Sequence, residues 1–167
     1  RVLGIRNTSK AQTVFIDTPG APGFDSLLNQ YLKREIEAAR ANVDAVLFMT
    51  DTRRNVFEND KKLLKELSGS LVFLVINKVD QVPREELLPV IKRYNGFRQF
   101  DEVFPISALT GENVEQLLNT LEHLLPIGDP FFPTDMITNQ AEEEMAGELI
   151  REQVVRATSE ELPYASA

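Results

Sequence analysis

The chain alternates short apolar runs with segments of helical periodicity, and this alternation most strongly limits the fold. Apolar runs rich in Val, Ile, Leu and Phe cover residues 13–16, 45–50, 71–76 and 103–106, and residues 1–6 are expected as an edge strand. Such runs are typical of strands buried on both faces of a parallel sheet. Apolar residues at helical spacing occupy residues 25–42, 59–67, 84–94, 113–125 and 141–157. The pattern predicts an α/β fold with a mostly parallel sheet.

Composition argues against several kinds of active site. The 167 residues contain no Cys and a single His, His123, so thiolate metal sites, disulfides and Ser–His triads are poorly supported. The net charge of −8 is uneven, because residues 127–167 carry 9 acidic and only 2 basic side chains. An acidic segment of this kind is a poor binder of nucleic-acid phosphates, and most such charge runs are solvated helix faces.

The first polar motif, Asp17-Thr18-Pro19-Gly20, directly follows the apolar run 13–16. In open α/β sheets, ligands bind outside the carboxyl ends of the strands. A carboxylate at such a strand end can hold a magnesium ion through a water, and Gly20 lets the backbone approach a phosphate closely. The alternative interpretation is a strand that ends in a simple Pro-Gly turn.

The second motif, Asn77-Lys78-Val79-Asp80, follows the apolar run 71–76. A carboxylate at Asp80 can accept two hydrogen bonds from the N1–H and N2 amine of guanine, a pair that adenine does not offer. Asn77 is expected to contact the base edge and brace the neighbouring loop, and the aliphatic stem of Lys78 can cover the base face. A polar turn between strand and helix is the less specific alternative.

The third motif, Ser107-Ala108-Leu109, follows the run 103–106. A small residue at this place lets a backbone N–H reach the O6 atom of guanine. Alone, the tripeptide is a weak signal and indicates an ordinary strand-to-helix turn more than a binding site. Its order and spacing after the other two motifs favour a nucleotide-binding role.

Together the three motifs resemble those of translation-factor-type GTPases, and further segments resemble the Era-like family of bacterial GTPases. The additional segments that carry this resemblance are Leu28-Asn29, Val43-Asp44, the run 132–138 (Phe-Pro-Thr-Asp-Met-Ile-Thr), Ile150-Arg151-Glu152 and Glu161-Leu162-Pro163-Tyr164. The segments near the end of the chain best distinguish the Era-like family from related GTPases, because those GTPases share the first three motifs but not this tail. The resemblance covers nearly the whole chain.

The resemblance implies a Ras-like P-loop GTPase that binds GTP or GDP with Mg²⁺ and acts in small-subunit ribosome assembly through ribosomal RNA. It assigns residues 1–126 to a GTP-binding domain, 127–140 to a linker, and 141–167 to the first helix and start of a KH-type RNA-binding domain. It identifies no catalytic side chain with certainty, because Ala21 stands where Ras-like proteins carry a catalytic glutamine. It implies a cytoplasmic protein, allows peripheral association with the inner membrane, and predicts no stable oligomer.

The sequence departs from the family at the phosphate-binding loop, since it contains no G-x-x-x-x-G-K-[ST] motif. In this fold the strand before that loop lies in the middle of the sheet. We therefore expect a longer protein, and in the chain as given we expect unpaired edges on the two strands that flank the missing one. Two alternatives remain open. One is another GTPase of the class, either a tandem-domain ribosome assembly GTPase or a tRNA-modification GTPase; the other is a non-hydrolysing interaction module.

Overall fold

A computed structural model describes residues 2–17, 43–52, 58–67 and 69–158 of the chain. Its strands are β1 (Leu3–Asn7), β2 (Gln12–Ile16), β3 (Val46–Asp51), β4 (Val72–Asn77) and β5 (Glu102–Pro105). Its α-helices are α1 (Glu58–Glu66), α2 (Leu87–Asn95), α3 (Val114–Leu124) and α4 (Glu142–Thr158). The helix expected at residues 25–42 lies outside the described residues. No helix within the described ranges is long and apolar enough to cross a membrane.

The described strands form two separate sheets. β3, β4 and β5 make a parallel sheet with β4 in the centre, whereas β1 and β2 form an antiparallel hairpin. The predicted α/β class with a parallel sheet is thus confirmed. Within the described ranges no strand joins β2 to β3, so each of these two strands lies at an edge of its sheet.

The central strand β4 is buried on both faces because apolar clusters cover each side. On one face, Leu74 and Ile76 pack with residues of α1 and α2, including the fully buried Tyr94. On the other face, Phe73 and Val75 form a cluster with residues of α3, and Phe15 of β2 packs against this cluster. This continuous burial explains why β4 has no alternation of polar and apolar residues.

A buried hydrogen-bond network ties the helices of the first face to the sheet. The Tyr94 hydroxyl lies 2.8 Å from the Thr50 hydroxyl of β3 and donates to the Asp60 carboxylate of α1 at 3.0 Å. Asp60 is only 3% exposed, so this bond satisfies a carboxylate that would otherwise be costly to bury. The network fixes α1, α2 and the end of β3 relative to one another.

The hairpin is held from two sides. Arg6 of β1 forms ion pairs with Glu122 and Glu115 of α3. On the outer edge of β1, the Ile5 N–H donates to the Ile137 carbonyl at 2.8 Å, and Gly4 forms a bridge with Thr138. The irregular segment 127–140 therefore runs along the hairpin before α4 begins.

Candidate functional site

Two loops at the carboxyl end of the parallel sheet lie side by side. We call residues Asn77–Asp80 the Asn77 loop and residues 107–109 the Ser107 loop; they follow the adjacent strands β4 and β5. The Asn77 side-chain oxygen accepts hydrogen bonds from the Lys78 N–H at 2.7 Å and the Ala108 N–H at 3.0 Å. A single amide therefore joins both loops, which agrees with the expected bracing of the neighbouring loop by Asn77, whereas its contact with the base edge stays a prediction.

Backbone contacts fix the same junction. The Val79 N–H donates to the Ile106 carbonyl at 3.2 Å, and the Ile106 N–H donates to the Ile76 carbonyl at 2.8 Å. Val79 is buried, whereas Asp80, the next residue, is exposed in a short 3-10 turn over Val79–Gln81. The Asp80 carboxylate is thus presented to solvent on a backbone that is anchored to both strands.

The Ser107 loop is held by its own hydrogen bonds. Ser107 is fully buried, and its hydroxyl accepts from the Thr110 N–H at 3.1 Å. The loop closes through Gly111, whose N–H donates to the Ser107 carbonyl at 2.9 Å and whose φ of +82° suits glycine. Ala108 and Leu109 remain exposed at the rim, Leu109 to 81%. The loop therefore presents Ala108 and Leu109 to solvent on a backbone that is fixed by the buried Ser107.

Lys78 adopts a conformation that the sequence did not predict. Its backbone has φ 63° and ψ 35°, in the left-handed region that non-glycine residues seldom occupy. Its ammonium lies 3.5 Å from the carboxylate of Asp51, at the end of β3. Sequence reasoning missed Asp51, although it follows the run 45–50 directly and so satisfied the same strand-end criterion as the other motifs.

Asn113 and the pair Arg84–Glu112 are further residues that the motifs did not indicate. Asn113, also in the left-handed region at φ 56°, donates from its side-chain amide to the Pro105 carbonyl at 2.8 Å. Arg84, just after the Asn77 loop, lies 3.4 Å from Glu112, just after the Ser107 loop. These contacts join residues that flank the two loops.

The first motif is described only at Asp17. This residue is exposed at the carboxyl end of β2, and its N–H donates to the Val2 carbonyl at 3.0 Å. Thr18, Pro19 and Gly20, which sequence analysis predicted to contact nucleotide, lie outside the described residues, as does Ala21. A large groove of about 990 Å³ runs along β2 and the start of β3, and its lining includes none of the described residues of the three motifs.

Comparison with known proteins places the chain among GTP-binding proteins. The family model of the elongation factor Tu GTP binding domain matches residues 4–127. The GTPase Era of Syntrophus aciditrophicus (strain SB) is 39% identical over 169 residues, which span 100% of this chain and 55% of that protein. The predicted resemblance to Era-like GTPases is thereby confirmed.

Two solved structures support the same relationship. Era in complex with MgGDPNP and a segment of 16S ribosomal RNA has a TM-score of 0.77 and 32% identity, covering 93% of this chain and 54% of that one. A variant of Aquifex aeolicus Era bound to GDP and AlF4⁻ also has a TM-score of 0.77, with 33% identity and coverage of 98% and 57%. The Ras-like fold is therefore confirmed, and the chain spans about half the length of these relatives.

Proposed function

Because the chain belongs to the family of the elongation factor Tu GTP binding domain, we propose that it forms most of the nucleotide-binding domain of an Era-like GTPase. That GTPase binds GTP and GDP, hydrolyses GTP, and acts in assembly of the small ribosomal subunit. In this proposal residues 1–126 belong to the GTP-binding domain, 127–140 connect it to the next domain, and 141–167 begin a KH-type RNA-binding domain.

The observation that carries the proposal is the junction between the Asn77 and Ser107 loops. Asn77 holds both loops through one side-chain oxygen, and the exposed Asp80 carboxylate follows in the same anchored loop. In this proposal the Asp80 carboxylate accepts hydrogen bonds from the N1–H and the N2 amine of guanine. The guanine O6 atom accepts from the Ala108 N–H, which in the structure donates to the Asn77 side chain. Ser107 holds the loop from its buried position, and Leu109 lines the rim.

A magnesium ion fits the position of Asp17. Among the described residues no group of three or more His, Cys, Asp or Glu side chains could hold a metal by itself. Mg²⁺ does not need such a cage, because it keeps several waters and binds through one or two carboxylates together with substrate phosphates. The exposed Asp17 carboxylate at a strand end would supply that single contact, through a water, and Thr18, Pro19 and Gly20 would approach the phosphates. When bound, Mg²⁺ would supply positive charge beside the phosphates.

The activity can be tested in a chimera in which this chain replaces the matching region of Syntrophus aciditrophicus Era, so that the relative supplies the rest. We expect the chimera to hydrolyse GTP with Mg²⁺, and Asp17→Asn to lower the Mg²⁺-dependent rate about 10- to 100-fold, as loss of a metal-positioning carboxylate commonly does. Guanine selectivity should survive, since Asp17 and Asp80 follow different strands. Phosphate release at graded Mg²⁺ measures the effect.

The matched control is Asp44→Asn, which removes an exposed carboxylate at the amino end of β3, away from the strand-end loops. It should leave rate and Mg²⁺ dependence unchanged. An Asp17→Asn chimera with the wild-type rate and Mg²⁺ dependence would show that the metal assignment is wrong. An inactive wild-type chimera, beside an active relative measured in parallel, would contradict the GTPase proposal itself.

Ribosomal RNA is the proposed macromolecular partner, because the Era structure similar to this chain was solved with a segment of 16S ribosomal RNA. We propose that RNA binds through the KH-type domain, at a surface other than the start of its first helix. The first turn of α4 carries Glu142, Glu143 and Glu144, and such a surface repels RNA phosphates.

We expect the 167-residue chain alone to show no saturable binding to ribosomal RNA, even at low salt where phosphate contacts are strongest. The physical reason is the excess of 9 acidic over 2 basic side chains in residues 127–167. Filter binding with a labelled 16S ribosomal RNA fragment measures this, and the chimera serves as the positive control. Specific, salt-sensitive binding by the chain alone would show that an RNA-binding site lies within these 167 residues.

We further propose a cytoplasmic location. Peripheral association with the inner membrane and the lack of a stable oligomer stay predictions from the family resemblance.

A further inference from the structure

The Asn77 loop contacts a residue that no motif includes. Strands β3 and β4 are parallel and paired so that Asp51 lies directly opposite Asn77. Asp51 is therefore at the same level of the sheet edge as the first residue of the loop. Its side chain is 29% exposed, and its carboxylate lies 3.5 Å from the ammonium of Lys78.

Lys78 is held both at its backbone and at its side-chain ammonium. At the backbone, its N–H donates to the Asn77 side chain and its carbonyl accepts from the Gln81 N–H at 3.1 Å. These bonds maintain a left-handed conformation that costs free energy in a residue with a Cβ. At the other end, the ion pair with Asp51 holds the ammonium near the end of β3 and so restricts the rotamers of a side chain that stays 54% exposed.

We propose that Asp51 is a positioning residue of the base site, which fixes the Lys78 side chain so that its stem lies ready to cover the face of a bound guanine. The inference rests on the guanine-binding role proposed above. A free lysine side chain loses much rotamer freedom when it packs on a ligand. The ion pair imposes part of that ordering before the ligand arrives, so less is lost in the binding step.

The size of the effect follows from the exposure of the pair. Lys78 is 54% exposed, and exposed ion pairs are weak because water and salt screen them. In the chimera we expect Asp51→Asn to raise the Kd for GDP about three- to fivefold. KM for GTP should rise by a similar factor while kcat is unchanged, because covering the base stabilises ground and transition states alike.

A double-mutant cycle tests whether Asp51 acts through Lys78. Kd for GDP is measured in the wild-type chimera, Asp51→Asn, Lys78→Met and the double variant. Lys78→Met keeps an apolar stem but removes the ammonium, so Asp51→Asn should add nothing in that background. Asp51→Glu, which keeps the charge and is longer by one methylene, should restore the wild-type Kd. Glu85→Gln, which removes an equal charge from the exposed turn after the loop, should leave Kd unchanged.

The outcomes are distinct. A wild-type Kd in Asp51→Asn, or the same rise with and without the Lys78 ammonium, overturns the positioning role while guanine binding stands. A rise that accompanies a lower melting temperature and is not rescued by Asp51→Glu also overturns it, because the effect would then be structural. A folded wild-type chimera that binds no guanine nucleotide overturns both this inference and the proposed function.

Discussion

We expect the 167-residue chain alone to bind GTP with a Kd in the millimolar range or weaker, and the chimera to bind it at least about a thousandfold more tightly. In P-loop proteins, several backbone N–H groups, a lysine and Mg²⁺ converge on a multiply charged phosphate chain, and charge-assisted contacts of this kind are strong. The sequence contains the residues that we propose for the base site but no phosphate-loop motif. A few hydrogen bonds at about 1–3 kcal/mol each barely offset an association cost of roughly 4–15 kcal/mol.

A series of ligands sharpens this test. In the chain alone, GTP, GDP and GMP should bind with similar weak affinity, because no cradle distinguishes their phosphates. In the chimera, affinity should fall steeply from GDP to GMP. Titration with a fluorescent guanine nucleotide and competition by the unlabelled ligands gives both results. Micromolar binding by the chain alone would show that other residues supply the phosphate contacts.

Among the described residues no further strand pairs with β2 or with the outer edge of β3, and we therefore also expect the chain alone to fold poorly. Unpaired backbone groups at a sheet edge are satisfied only by water, and the groove along β2 is lined by apolar side chains such as Phe15 and Leu47. We expect the chain alone to unfold in urea over a broad transition, and the chimera to unfold cooperatively. Circular dichroism during the titration separates weak binding by a folded chain from lack of folding.

Much of the described fold could be predicted from the sequence because the parallel strands are buried on both faces. The four apolar runs agree with β2 to β5 within one residue at each end, and the edge strand expected at residues 1–6 is observed as β1 at Leu3–Asn7. The helices predicted at 59–67, 113–125 and 141–157 also agree with α1, α3 and α4 to one residue at each end, and one helix differs more at its start. The helix predicted at residues 84–94 begins as a 3-10 turn over Arg84–Glu86, and α2 follows from Leu87, with Pro89 tolerated in its first turn.

The candidate site could be predicted from the sequence where its residues belong to local motifs. It could not be predicted where the pairing of two strands brings residues together. Asn77, Asp80 and Ser107 could be selected because they follow apolar runs in recognisable motifs. Asp51 follows such a run as well, but its relation to Lys78 depends on the register between β3 and β4 and on the left-handed backbone of Lys78. Neither of these features is encoded in a short stretch of sequence. The split into two sheets likewise depends on contacts between distant segments.

Base selection should depend on Asp80, and Asp80→Ala in the chimera should weaken GTP binding by about 2–5 kcal/mol, because two hydrogen bonds to a charged acceptor are lost. This corresponds to a rise in Kd of roughly 30-fold to several thousandfold. Protein stability should change little, since Asp80 is exposed and its neighbour Val79 provides the buried contact. Calorimetric titration with GDP measures the affinity, and Asp129→Ala, a change at another exposed carboxylate, should have no effect.

Asp80→Asn tests the direction of the hydrogen bonds as well as their strength. An asparagine amide presents one donor and one acceptor where the carboxylate presented two acceptors, so it no longer matches the N1–H and N2 amine of guanine. Xanthine carries a carbonyl in place of that amine and can accept from the asparagine NH₂ group. The variant should therefore prefer xanthosine triphosphate to GTP, reversing the order of the wild-type chimera. Competition between the two nucleotides for one labelled ligand measures the reversal. If both Asp80 variants kept wild-type affinity and preference, the carboxylate would not be the group that reads the base.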